Sequence, residues 1–156
     1  MAIDKVREYL KQWNADTKIL EFEVSSATIQ LAALALGCEE RRIAKTLSFI
    51  QKEDTVLIVA AGDARIDNHK YRERFGMKAK MIPTEEVEAH IGHAVGGVCP
   101  FAVNPGVKVY LDESLKRFTT VFPACGSSNS AIEVTMEDLE LYSGSAEWVD
   151  VCKVSE

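Results

Sequence analysis

Apolar residues recur along this chain with two different periods, and the switches between them mark out the elements. Ile3, Val6, Leu10 and Trp13 stand at helical spacing and predict an amphipathic helix over residues 2–14. The stretch "KILEFEV" alternates and reads as a strand. Ser25 and Ser26 are placed to cap "ATIQLAALALG", a helix that stops at Gly37 and, being apolar on nearly every side, is expected to be buried. "EERR" then leads into the strand "RIAKTLSFI". The continuous apolar run "TVLIVAAG" has the length of a central strand and ends in the turn Gly62-Asp63.

Further on, Asp67 is placed to cap the basic helix "NHKYRERFG", closed by Gly76. "AKMIP" reads as a short strand, and Thr84 opens a helix "EEVEAHIG" that ends at Gly92. The irregular segment "HAVGGVCPFAVNPG" follows, then three strand candidates, "VKVYLD", "TTVFPACG" and "AIEVT". Thr135 and Asp138 are spaced like a capping box ahead of "MEDLELYSG", and "AEWVDVCKV" alternates as a closing strand. Strands outnumber helices, and only some helices separate strands. The expectation is one domain, residues 1–156, of mixed α/β (α+β) class rather than a regular doubly wound sheet.

One position breaks the pattern. Alternation in "RIAKTLSFI" puts Ile43, Lys45, Leu47 and Phe49 on one face and Ala44, Thr46 and Ser48 on the other. A lysine therefore shares the side meant for the core. Either its stem packs there while the ammonium reaches the edge, or the strand lines a pocket where the ammonium meets an anionic or electron-rich ligand.

Composition narrows the classes without naming one. With 156 residues, 47% hydrophobic and 27% charged, the chain has the make-up of a soluble protein with one substantial core. No apolar run approaches the roughly 20 residues that span a bilayer, and the charged first segment lacks a signal peptide's apolar centre, so no membrane and a cytoplasmic location are expected. A net charge of −6 excludes coating of nucleic acid by bulk charge, but not contact with a nucleic-acid end. Cys38, Cys99, Cys125 and Cys152 form no C-x-x-C pair, and His69, His90 and His93 have no companion ligands. No metal and no cofactor are expected.

Candidate chemistry gathers in two loops. In "GHAVGGVCPF", Gly96 and Gly97 free the backbone to approach a ligand, and N–H groups through Val98 and Cys99 can form an anion nest or oxyanion hole, with Pro100 stiffening the exit. A plain turn is the alternative. In "FPACGSSN", Gly126 and Ser127 make either a hairpin turn or a second backbone wall of the pocket. His93 is a candidate general base, although a lone histidine is more often structural. The cations from Lys70 to Arg74, with Lys78 and Lys80, read as a solvated face before a phosphate site. No Ser-His-Asp signature, P-loop or dinucleotide glycine fingerprint is present.

Taken in order, "IAKTLSF", "VAAGDARID", "GHAVGGVCPF", "VYLDESL", "ACGS" and "AIEV" resemble one family from about Ser25 to the C-terminus. It is the YbaK/prolyl-tRNA-synthetase-associated editing domain family, free-standing aminoacyl-tRNA deacylases. The resemblance implies a curled, barrel-like mixed β-sheet flanked by helices, and hydrolysis of the ester joining a mischarged amino acid to tRNA. Lys45 matches the family's "KT" lysine, and Gly96 and Pro100 bracket its G-x-x-x-P loop. Thr46, Asp63, Asp112 and Gly126 match other recurrent positions. The implied partners are the acceptor end of an aminoacyl-tRNA and, secondarily, an aminoacyl-tRNA synthetase. Ala124 stands where the branch that clears cysteine tends to carry serine, so the amino acid removed stays open, as does the oligomeric state. Two functions follow: a trans-editing deacylase using Lys45 and Gly96, or a non-catalytic module of the same fold that binds tRNA ends or nucleotides.

Overall fold

The structure, a computed structural model, describes residues 2–145 and 147–154. Ala146, placed above at the start of the closing strand, lies outside the described residues, as do Met1, Ser155 and Glu156 of the expected domain. In chain order the elements are α1 (Ala2–Leu10), β1 (Leu20–Glu21), α2 (Ile29–Leu36), β2 (Ile43–Gln51), β3 (Asp54–Ala61), β4 (Ala64–Ile66), α3 (Asn68–Phe75), α4 (Val87–Ile91), β5 (Lys108–Asp112), β6 (Thr120–Pro123), β7 (Ser130–Ala131), β8 (Val134–Thr135), α5 (Met136–Ser143), β9 (Trp148–Val149) and β10 (Cys152–Val154).

Six strands form one mixed sheet in the order β8-β6-β2-β3-β5-β9. Pairing is parallel at β6–β2, β3–β5 and β5–β9, and antiparallel at β2–β3 and β6–β8. The long run "TVLIVAAG" supplies β3, buried from Val56 to Ala61 and flanked on both sides, as a central strand should be. Curled around Phe49, Tyr71, Phe101, Leu111, Leu115 and Leu139, the sheet and its helices enclose one main core. Each such side chain contributes about 1.5–3 kcal/mol by burial. The fold is therefore the mixed, curled sheet with helices that the resemblance implies.

Local signals are realised where chain-local chemistry sets them. Asp67 accepts from His69 N and Lys70 N at the start of α3, Thr135 and Asp138 complete a capping box on α5, and Gly37 and Gly76 end α2 and α3 in left-handed conformations. Three expectations are corrected. First, α2 is capped by Thr28, while Ser25 and Ser26 bind the Ser128 carbonyl, and the helix is not buried throughout. It rests on Ile43 and Phe122 through Ala32 and Ala33, and leaves Leu34 79% exposed. Second, "AKMIP" forms no strand, only a single bridge between Met81 and Phe49. Third, "KILEFEV" yields only the two-residue β1, paired with β7, while "AIEVT" and the closing segment break into two- and three-residue strands because their halves pair with different neighbours. β4, not foreseen, pairs antiparallel with β10.

Candidate functional site

The sheet has a gap, and a cavity at the gap is the candidate site. β6 pairs with β2 only at Ile43 and Ala44. Further along the same edge residues 80–82 take over: Ile50 N donates to Lys80 O (2.9 Å) and Ile82 N donates to Ser48 O (3.2 Å). Between them, residues 45–47 have no strand on that edge among the described residues. A cavity of about 280 Å³ occupies the interval, bounded by residues 43–48 of β2, by Met81 and Ile82, by Val95, Gly96 and Val98, and by the entry to α2. β2 is therefore enclosed on both faces: Ala44 and Ser48 are buried as well as Ile43 and Phe49.

Among the described residues, Lys45 supplies the only charged side chain on the cavity wall. Its ammonium donates to the carbonyls of Gly62 (3.4 Å) and Ala64 at the β3–β4 turn, and no carboxylate pairs with it among the described residues. Burial pulls its pKa below the ordinary lysine value, opposed by the thiol of Cys152 and the carboxylate of Asp63. The lysine is thus half-buried, its direct hydrogen-bond acceptors are backbone carbonyls, and the carboxylate of Asp63 acts on it only from a distance. Across the cavity, Gly96 adopts φ +95°. Gly97 packs so tightly on the next loop that a Cβ would lie 2.7 Å from Ser127 N. Its N–H is committed to Ala94 O (3.0 Å), which removes it from the expected oxyanion hole.

Of the residues singled out from sequence as candidate chemistry, Lys45, Thr46, Gly96 and Val98 meet at the cavity, joined by Ala124, while His93, Gly97, Cys99, Pro100, Asp63, Asp112, Gly126 and Ser127 do not line it. His93 is fully buried, with Nε2 2.7 Å from Phe101 O and no partner at Nδ1 among the described residues. Burial lowers its pKa, so the neutral ring donates from Nε2 and clasps the two ends of the glycine loop. That position gives it no path to the cavity as a base. Cys99 packs beside it, its thiol pushed up to about 12 by burial, and Pro100 faces a separate, more open groove with Lys5 and Tyr9.

The remaining expected positions hold the frame. Asp63 forms a two-armed ion pair with Arg117 (2.6 and 3.0 Å), which depresses its pKa. Asp112 is buried and accepts from Ser114 N (2.9 Å) and Val151 N (3.0 Å), tying the end of β5 to the C-terminal segment. Gly126 (φ +91°) passes beneath α1, where a Cβ would meet the Ala2 backbone at 3.0 Å. The Ser127 hydroxyl is shared with Asn129 and Ser130. Sequence reasoning missed Ser48, Met81 and Val95 on the wall; their only signal was proximity in sequence to the marked positions.

Comparisons with known proteins agree with this architecture. The sequence matches the aminoacyl-tRNA editing domain family over residues 23–141. It is 54% identical over 154 residues to the uncharacterized protein YwhH of Bacillus subtilis (strain 168), covering 98% of both chains. It is 32% identical over 120 residues to the proline–tRNA ligase of Halalkalibacterium halodurans, matching 74% of this chain but only 21% of the ligase. Among solved structures, a candidate trans-editing enzyme for prolyl-tRNA synthetase superposes with a TM-score of 0.87 at 29% identity, covering 97% of each chain. With the ordered motifs, the curled mixed sheet and the cavity at its gap in agreement, the chain belongs to the aminoacyl-tRNA editing domain family.

Proposed function

We propose that this chain is a trans-acting deacylase that hydrolyses the ester of a mischarged aminoacyl-tRNA carrying a small amino acid. The observation that carries this reading is the half-open cavity between Lys45 and Gly96. Its volume of about 280 Å³ lies just below the roughly 300–1,000 Å³ typical of ligand pockets, which suits an aminoacyl group better than a nucleotide. Water adds to the ester carbonyl, the acyl C–O bond to the ribose breaks, and the proton from water passes to the departing ribose oxygen. The released carboxylic acid then ionises. An ester is already activated, so positioning and stabilisation of the oxyanion are what the protein must supply. Lys45 offers a positive charge beside either the oxyanion or the adjoining phosphate. With His93 clasped to Phe101, the proton relay falls to the vicinal ribose hydroxyl or a held water.

The test is release of amino acid from a panel of mischarged tRNAs by wild type and Lys45→Ala. The expected result is turnover of at least one small aminoacyl-tRNA, reduced tenfold or more in the variant while the fold is retained. The absence of other ionisable groups on the wall favours a second reading, a module that binds tRNA ends without turnover. Tight tRNA binding with no release from any member of the panel would establish that reading instead.

A further inference from the structure

The gap in the sheet leaves one rung of β2 unused. Antiparallel pairing sends the N–H and C=O of alternate residues to opposite edges. Ser48 and Ile50 address residues 80–82, away from β3, and the pair Gln51–Asp54 closes the two-residue hairpin turn toward β3. By the same alternation the N–H and C=O of Thr46 point into the cavity. Ala44, two residues back, meets Pro123 of β6, and β6 ends there. Thr46 Oγ1 is also buried with no hydrogen-bond partner among the described residues. A native structure keeps an unsatisfied buried polar atom for a reason. No carboxylate lines the cavity, so a bound α-amino group has only carbonyl and hydroxyl oxygens to accept from it.

We propose that the open rung at Thr46 seats the aminoacyl group of the substrate as a one-residue strand: the Thr46 carbonyl accepts from the α-amino group, and the Thr46 N–H donates to the ester carbonyl. An aminoacyl ester carries the same sequence of amine, α-carbon and carbonyl as one residue of a chain, so it can exchange both hydrogen bonds of an antiparallel pair. The N–H then lies on the oxygen that becomes the oxyanion, the role that Gly97 N–H, bound to Ala94, does not fill. This rests on the deacylase reading and sharpens it: the site selects acyl groups that bear an α-amine and reads them by backbone, so selection persists whatever the side chain.

Three adenosine esters of matched size test this: alanyl, lactyl and propionyl. Each rate is divided by that ester's own uncatalysed rate. The normalised kcat/KM falls at least about tenfold from alanyl to propionyl, which has no donor, with lactyl between them because its hydroxyl donates without charge. Equal normalised rates for alanyl and propionyl overturn the proposal while leaving the deacylase reading intact. The non-hydrolysable amides 3′-alanylamido- and 3′-propionylamido-3′-deoxyadenosine separate the two ideas further. Tighter binding of the alanyl amide supports the rung even if no ester is turned over, and equal binding overturns it. Thr46→Pro deletes the N–H at a strand edge where proline is tolerated, and is expected to reduce alanyl-ester hydrolysis tenfold or more at unchanged circular dichroism. If that variant misfolds, the comparison of substrates and amides on wild type still decides.

Discussion

A neutral histidine sealed beneath the glycine loop has a measurable consequence. Burial holds the folded-state pKa of His93 below its value in an unfolded chain, about 6.5. Between those two values the unfolded state binds more protons, so stability rises with pH across the window and is lost as pH falls below about 6.5. The slope from this one group reaches at most about 1.4 kcal/mol per pH unit. His93→Gln keeps an N–H for Phe101 O and removes the titration, so its urea midpoint should vary less between about pH 5 and pH 7 than that of wild type. Matching profiles would show that His93 titrates as it does in water. Lys45 was legible as an oddity because alternation is a local property, whereas the open backbone of Thr46 depends on where β6 stops and residues 80–82 begin. No window of sequence contains that information.

The glycine loop acts as an element packed on a second loop, and its two glycines differ in what they tolerate. At Gly97 an added Cβ would collide with backbone, 2.7 Å from Ser127 N and 2.8 Å from Gly126 C. Backbone cannot swing aside as a side chain can, so Gly97→Ala should cost about 1–3 kcal/mol and displace the wall of the cavity. At Gly96 the nearest atoms are Ala27 Cβ at 3.4 Å and Ser128 Cβ at 3.6 Å, so Gly96→Ala meets mainly the penalty of φ +95°, about 1–2 kcal/mol. Melting temperature and kcat/KM on the best mischarged tRNA check the pair: Gly97→Ala should lose at least as much stability and more activity. Elements whose limits are set by adjacent residues were readable, as the caps of α3 and α5 show. The two-residue strands were not, because β1 exists only by pairing with β7, more than a hundred residues away, and β4 only by pairing with β10.

On the scale of the whole molecule, charge sets how a polyanion is met. The net charge is −6, and much of the positive charge is already engaged: Arg7, Arg41, Arg42, Lys70, Arg74, Lys108, Lys116 and Arg117 each hold a carboxylate. Near the cavity the cations without a carboxylate partner among the described residues are few, with Lys80 next to the wall residue Met81 and Lys45 on the wall itself. Such a surface cannot neutralise a long run of phosphates, but it can accept the last nucleotides of a single strand that threads its aminoacyl end into the gap of the sheet. Each phosphate neutralised on a single strand contributes about −0.7 to the slope of log K against log salt. Two or three contacts therefore predict a slope between about −1.4 and −2.1 for tRNA binding, with kcat little affected by salt. Filter binding and kcat/KM across a potassium chloride series measure it. A slope steeper than about −4 would require a basic groove along the acceptor stem and would contradict docking by the end alone.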